Sequence, residues 1–265
     1  MNINDKPVLV ANLARTGQGW LSFMLCYILN AKFVEPYCLL RGIVYSADPY
    51  IVEKTSGNLP SRKQTQYSLI VKTHQLPDPF FSLTDKVILL SRDPRDVAVS
   101  AYARYSTVQK TGTDLIAQDQ GASIARTQRR YYLQQVKEWL WSRKLVCFFL
   151  IACRWKKFYE GWGDITICLR VTYEELSKDP KTVLLRILKY LEVEADEGLV
   201  DDAIRKFSFE ALSGRKKGVE DKGNTSFRKG IVGDYKNHFN PFYQYMFDVI
   251  CGKAARQWGF MGRGE

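Results

Sequence analysis

The stretch from Val8 to Asn30 constrains the fold more than any other part of the chain. Val8-Leu9-Val10-Ala11 is a short, wholly apolar run. A glycine-bearing turn, Ala14-Arg15-Thr16-Gly17-Gln18-Gly19-Trp20, separates it from a helix-like stretch that ends near Asn30. A strand without polar alternation is buried on both faces, as in a parallel sheet covered by helices. The same rhythm recurs: Tyr67 to Lys72, Lys86 to Ser91 and Ile165 to Val171 read as further strands. After the third comes Asp93-Pro94-Arg95-Asp96, a helix start in which Asp93 can cap, Pro94 suits the first turn and Asp96 favours the positive helix end. Asp179-Pro180 opens another capped helix through Leu191, and Arg126 to Trp162 reads as helical and rich in aromatics. The expected class is α/β, with a mainly parallel central sheet flanked by helices.

At 265 residues the chain fits one large domain or two small ones, and its 46% hydrophobic and 25% charged content is that of a globular protein. The net charge of +11 implies an anionic partner: nucleic acid, a membrane surface or a polyanionic small molecule. Met1 to Asp5 is too polar for a secretory leader, and the most apolar stretch, Leu145 to Cys153, is too short to span a bilayer. The cysteines (Cys26, Cys38, Cys147, Cys153, Cys168, Cys251) are scattered and form no Cys-x-x-Cys pair. Neither a disulfide framework nor a zinc site is expected, and the cytoplasm is the expected compartment. Two polar, glycine-bearing stretches, about 107–123 and 213–234, have the character of mobile lids.

Glycines in the turn after the first strand let backbone amides approach an anion, and the helix start that follows adds free N–H groups and a positive dipole end. Arg15 adds a bidentate partner for phosphate or sulfate. The turn lacks the Lys-Ser/Thr of nucleoside triphosphatases, and Ser22 stands where a dinucleotide-binding turn has its third glycine. The polar residues fall in a pattern as well. His74 follows the second strand, Arg92 the third and Tyr173-Glu174 the fourth, all at the carboxyl ends that form the ligand crevice of an open parallel sheet. His74, one of two histidines, is placed to act as a base; His238 lies in a basic, polar segment and reads as a surface residue. Three readings remain open on these residues: an enzyme acting on an anionic group, a nucleotide-binding phosphotransferase, and a nucleic-acid-binding protein.

The chain resembles the cytosolic-type sulfotransferases over nearly its whole length. Their phosphosulfate loop, usually Pro-Lys-Ser-Gly-Thr-Thr-Trp, lines up with Ala14 to Trp20. Lys72-Thr73-His74 matches Lys-Thr-His, and Arg92-Asp93-Pro94-Arg95-Asp96-Val97-Ala98-Val99-Ser100 matches Arg-(Asn/Asp)-Pro-x-Asp-x-x-x-Ser. Tyr173-Glu174-Glu175-Leu176 and Ser208-Phe209 find counterparts. Arg228-Lys229-Gly230-Ile231-Val232-Gly233-Asp234-Tyr235-Lys236-Asn237 is close to the carboxyl-terminal Arg-Lys-Gly-x-x-Gly-Asp-Trp-Lys-Asn signature.

The resemblance implies a P-loop-like sulfotransferase fold in a single domain over 1–265. It also implies sulfuryl transfer from 3′-phosphoadenosine 5′-phosphosulfate (PAPS) to a hydroxyl or amine of a small-molecule acceptor, with 3′-phosphoadenosine 5′-phosphate (PAP) as product and no metal. His74 would be the base, with Lys72 and Arg15 neutralising charge on the transferring group. The main-chain amides of Gly17, Gln18, Gly19 and Trp20 would hold the 5′-phosphate, with Arg15 and Thr16 also in the donor site. Arg92, Ser100, Arg228, Lys229 and Gly230 would hold the 3′-phosphate. Trp20 and Phe209 would sandwich the adenine, and Tyr173 and Phe227 would complete the nucleotide site. The implied partner is a small molecule, neither nucleic acid nor membrane.

Several positions depart from the family pattern. Arg15 replaces a lysine, Gln18 and Gly19 replace two threonines, and Tyr235 replaces a tryptophan. The family's dimer motif, Lys-x-x-x-Thr-Val-x-x-x-Glu, is not matched, because Asn240-Pro241 and Tyr245 occupy its key places. The oligomeric state is therefore left open.

Overall fold

The computed structural model describes residues 7–34, 65–77, 84–111, 143–163, 165, 168–220 and 227–262. Its strands are β1 (Pro7–Asn12), β2 (Lys32–Val34), β3 (Leu69–Thr73), β4 (Val87–Ser91) and β5 (Cys168–Thr172). The helices are α1 (Gln18–Leu29), α2 (Pro94–Thr111), α3 (Lys144–Gly163), α4 (Tyr173–Lys178), α5 (Pro180–Tyr190), α6 (Glu197–Lys206), α7 (Phe209–Ser213), α8 (Pro241–Phe247) and α9 (Lys253–Gln257). A 3₁₀ turn spans Asp234–Asn237, and a π turn, Asp248–Gly252, joins α8 to α9. The chain divides into two compact units, Met1–Arg92 with Lys157–Lys216 and Asp93–Lys156 with Lys217–Glu265.

The first unit holds the whole sheet, in the order β2-β3-β1-β4-β5 with every pairing parallel. β4 is buried throughout and β1 almost so, as their unbroken apolar sequences require. Nearly all of α1 is buried too, because its residues are apolar all round. The helix stops at Asn30, whose left-handed backbone (φ 52°) turns the N–H of the next residue, Ala31, back onto the Cys26 carbonyl at 3.0 Å. The chain then enters β2, a three-residue edge strand that the sequence did not signal. β5 begins at Cys168, three residues later than expected. The capped start at Asp179 forms as read, with Asp179 Oδ1 accepting from the Thr182 amide at 3.1 Å. Tyr159 and Trp162, from the last turns of α3, are among the largest fully buried side chains of this unit.

Strand order fixes where a ligand can sit. The chain leaves β1 for one side of the sheet, returns beside it as β3, then crosses to the other side as β4. Ala11 pairs with Thr73, Asn12 with Leu90, and Ser91 with Thr172. The residues after these positions therefore leave the sheet at one edge, about the point where the winding direction reverses.

The second unit is helical. Its core is built on Phe148, whose ring lies 4.9 Å from those of Phe239 and Tyr243 and 6.2 Å from those of Tyr102 and Phe247. Helix α2 starts as expected: the Asp93 carboxylate accepts from the Arg95 amide at 2.8 Å, with Pro94 at the first helical position. It continues through Thr111, five residues into the stretch read as a loop. Residues 112–123 of that stretch, and 126–142 of the expected long helix, lie outside the described residues.

Candidate active site

The glycine turn is built from inside. Asn12, fully buried at the end of β1, donates through Nδ2 to the Leu13 carbonyl and to Thr16 Oγ1, both at 2.8 Å. Thr16, also fully buried, passes its own hydroxyl proton to the Leu13 carbonyl at 2.9 Å. The Thr16 hydroxyl thus closes the turn. Arg15 and Gly17 on either side both have left-handed backbones, with φ of 79° and 88°. For Arg15 that conformation is strained by roughly 1–2 kcal/mol. At Gly17 there is a second demand: a Cβ would lie 2.7 Å from Cε2 of Tyr173. The ring of Tyr173 therefore rests on the turn itself. The Gln18 side chain is buried, so this position presents its backbone rather than its carboxamide. Trp20 donates its amide to the Gly17 carbonyl at 3.1 Å, and the N–H groups of Gln18 and Gly19 are left at the open helix start.

Four residues singled out in the sequence meet here. The Tyr173 ring lies between Gly17 and the Arg92 guanidinium, which sits 4.3 Å from the ring centroid. Trp20 meets the same ring edge-on at 6.2 Å. Arg92 Nη1 reaches the Arg15 carbonyl at 3.4 Å. Tyr173 is held in turn by the first turn of α4, where Thr172 and Glu175 form a reciprocal capping box. Phe209 opens α7 behind the Ser208 cap, with the Arg215 guanidinium 5.9 Å from its ring.

His74 follows the end of β3, and Lys72 lies two residues earlier on the same strand face. The His74 side chain is exposed, and its Nδ1 lies 2.7 Å from the main-chain oxygen of Asn12. A carbonyl oxygen can only accept, so Nδ1 carries the proton. In the neutral ring the lone pair is then on Nε2. The flanking backbone is pinned as well. Thr73 Oγ1 accepts from the Gln75 amide at 3.1 Å, and buried Trp162 donates from Nε1 to the Gln75 carbonyl at 3.0 Å.

In the second unit, Arg228 and Lys229 converge on Asp234, whose carboxylate is 2% exposed. Lys229 Nζ lies 3.1 Å from it, Arg228 Nη2 closes on its other oxygen, and Asn237 Nδ2 donates at 3.1 Å. Burial on its own would raise the pKa of this carboxyl. The hydrogen bond from Arg228, with those from Asn237 and Lys229, more than reverses that and holds it well below the usual carboxylate range. His238, expected at the surface, is half-buried beside this group, and burial lowers its basicity. Ser100 is buried two turns into α2, and Phe227 and Gly230 flank the two cations in sequence. Tyr102 packs edge-on to Phe148.

Sequence reading missed Asn12, Tyr159, Trp162 and the roles of Asp96 and Asp234. Asp96 and Asp234 carried a signal, as the acids of motifs otherwise read for their cations.

The profile of the family described as Sulfotransferase domain matches residues 5–259. The chain belongs to the sulfotransferase family. Among its relatives, 3-beta-hydroxysteroid sulfotransferase of Cavia porcellus is 26% identical over 262 residues, covering 94% of this chain and 83% of that protein. Sulfotransferase 1B1 of Mus musculus is 26% identical, covering 93% and 81%. The fold of this sulfotransferase is also that of solved structures. Mouse sulfotransferase SULT7A1 complexed with PAP superposes with a TM-score of 0.57 at 18% identity, over 96% of this chain and 84% of that one. Retinol dehydratase in complex with androsterone and PAP gives 0.54 at 16% identity, over 98% and 83%.

Proposed function

We propose that this sulfotransferase moves a sulfuryl group from PAPS to a hydroxyl or amine of a small-molecule acceptor, with His74 as general base. The observation that carries this reading is the hydrogen bond from His74 Nδ1 to the Asn12 carbonyl. It leaves Nε2 as the proton-accepting atom at the carboxyl edge of the sheet, beside a turn shaped to receive an anion. Relatives named for hydroxysteroids, and neighbours solved with PAP, support the donor and the class of acceptor.

The residues present suit an adenosine carrying phosphates at both ends. The N–H groups of Gln18 and Gly19, at the start of a twelve-residue helix, would take the 5′-phosphate with Arg15. In the second unit, Ser100, Arg228, Lys229 and Gly230 are the residues for the 3′-phosphate. Trp20 and Phe209 supply aromatic faces for the base. The donor brings a sulfuryl group bonded to a phosphate that leaves readily. His74 Nε2 takes the acceptor's proton as the acceptor oxygen or nitrogen bonds to sulfur and the bridging S–O bond breaks. Lys72 and Arg15 oppose the charge that gathers on the sulfuryl oxygens and the departing phosphate. A reducing compartment such as the cytoplasm suits Cys26, Cys147, Cys153, Cys168 and Cys251, all of which are thiols.

The test is His74→Ala, assayed for transfer from labelled PAPS to a panel of phenols, alcohols and amines, and for PAP binding by calorimetry. Transfer should fall about 10²–10⁴-fold while PAP affinity stays within about threefold. Equal loss of both would make His74 structural. Wild-type protein that binds PAP yet labels no acceptor class would remove the transferase reading.

A further inference from the structure

The sequence gives Asp96 an ordinary task, that of an acid near the positive end of a helix. Its surroundings differ from that expectation. A helix-end acid faces water, whereas Asp96 is 1% exposed. Its two oxygens accept separate main-chain hydrogen bonds from far along the chain. Oδ2 takes the Gly233 amide at 2.7 Å and Oδ1 the Tyr235 amide at 2.9 Å. A buried carboxylate is costly unless its oxygens are met by donors, and here two main-chain donors meet them.

Those amides bracket the start of the 3₁₀ turn Asp234–Asn237, with Gly233 as its cap. Asp96 therefore fixes the backbone from which the Asp234 side chain projects, and Asp234 grips Arg228 and Lys229. A second contact holds the same turn. The Arg95 guanidinium lies 3.8 Å from the Tyr235 ring centroid and is itself locked by Asp93, with Nη2 to Oδ2 at 2.8 Å. The start of α2 thus holds the 3₁₀ turn at two adjacent residues, and the turn holds the two cations.

We infer that Asp96 is a positioning residue for the donor's 3′-phosphate, acting through Asp234 to hold Arg228 and Lys229 in their binding arrangement. This rests on the proposed assignment of those two cations to that phosphate. Both side chains are long, with rotamers that binding would otherwise have to freeze, so an arrangement set beforehand tightens binding without touching the ligand. Arg95 and Asp96, two positions of the arginine motif with no ligand of their own, gain a task under this inference.

The test compares PAP with AMP, which lacks the 3′-phosphate, on wild-type protein, Asp96→Asn and Asp234→Asn. Wild type should bind PAP at least about tenfold more tightly than AMP. Asp96→Asn should lose about tenfold in PAP affinity and leave AMP affinity within about twofold, because only the 3′-phosphate contacts are disturbed. Asp234→Asn keeps both main-chain hydrogen bonds to Asp96 and should give the same selective loss. The double variant should lose little more than either single one, since the two act in series. Should Asp96→Asn fail to fold, Asp234→Asn carries the test, and unchanged PAP preference there overturns the inference. Equal loss of PAP and AMP would reduce Asp96 to a structural cap. Wild type without preference for PAP over AMP would instead remove the assignment of the two cations on which the inference rests.

Discussion

Gly17 is the residue at which local geometry and proposed chemistry are hardest to separate. Its φ of 88° excludes most side chains, and the Tyr173 ring occupies the space a Cβ would need. Replacement by alanine should cost roughly 1–2 kcal/mol from backbone conformation alone. It should also push Tyr173 off the turn and carry along the Arg92 guanidinium stacked on that ring. A lower melting temperature together with at least about tenfold weaker PAP binding is the expected outcome, read by calorimetry. If Gly17→Ala melts lower but binds PAP like wild type, the turn is a structural corner rather than a phosphate cradle. The glycine was legible in the sequence because turn and motif coincide there. Asn12 was not: nothing about an asparagine ending an apolar strand announces that its carbonyl will set the tautomer of a histidine 62 residues later.

Among the elements, those that form by local rules were the readable ones. The apolar strands and the capped starts at Asp93 and Asp179 are decided within a few residues of chain. β2 was missed because three residues with one exposed lysine carry no usable period; its existence depends on pairing with β3. The ties between elements were also invisible. Tyr159, on the fifth turn of α3, is fully buried and donates to the Leu90 carbonyl at 2.7 Å, while the Leu13 amide points at the Tyr159 hydroxyl oxygen. One hydroxyl thus ties the carboxyl ends of β1 and β4, directly beneath the turn and Arg92. Burial pushes this phenol far above its usual range, with Leu13 opposing and Glu174 adding to the rise, so it stays a donor at every working pH. Tyr159→Phe should keep the packing and leave buried main-chain groups unmet, at a cost of about 1–3 kcal/mol. The measurement is chemical denaturation, with the midpoint lowered and the slope unchanged. An unaltered midpoint would mean that the strand ends are held by pairing alone.

At the scale of the whole molecule, the charge of +11 admitted three kinds of partner, nucleic acid, a membrane surface and a polyanionic small molecule. The folded chain assigns part of that charge. Arg92 lies on Tyr173, Arg95 on Tyr235, and Arg228 and Lys229 on Asp234, so several cations of the motifs are in fixed places rather than spread over a solvated face. Fixed cations favour a ligand of matching shape, whereas a polynucleotide is drawn by the summed field and loses affinity steeply with salt. A ligand that binds only the folded state raises stability by about 2.7 kcal/mol at a hundred times its dissociation constant. For a chain of this size each kcal/mol moves the midpoint by roughly 2–4 °C, so saturating PAP should raise the melting temperature by about 5–10 °C. AMP at the same concentration should give a clearly smaller rise, and raising the salt from 50 to 200 mM should leave most of the PAP effect in place. A single-stranded oligonucleotide should shift the midpoint little, and that shift should vanish over the same salt range, where a protein making several phosphate contacts loses about 10³-fold or more in affinity. The reverse pattern, a large salt-sensitive oligonucleotide shift with PAP no better than AMP, would return the basic surface to nucleic acid and take the nucleotide donor away.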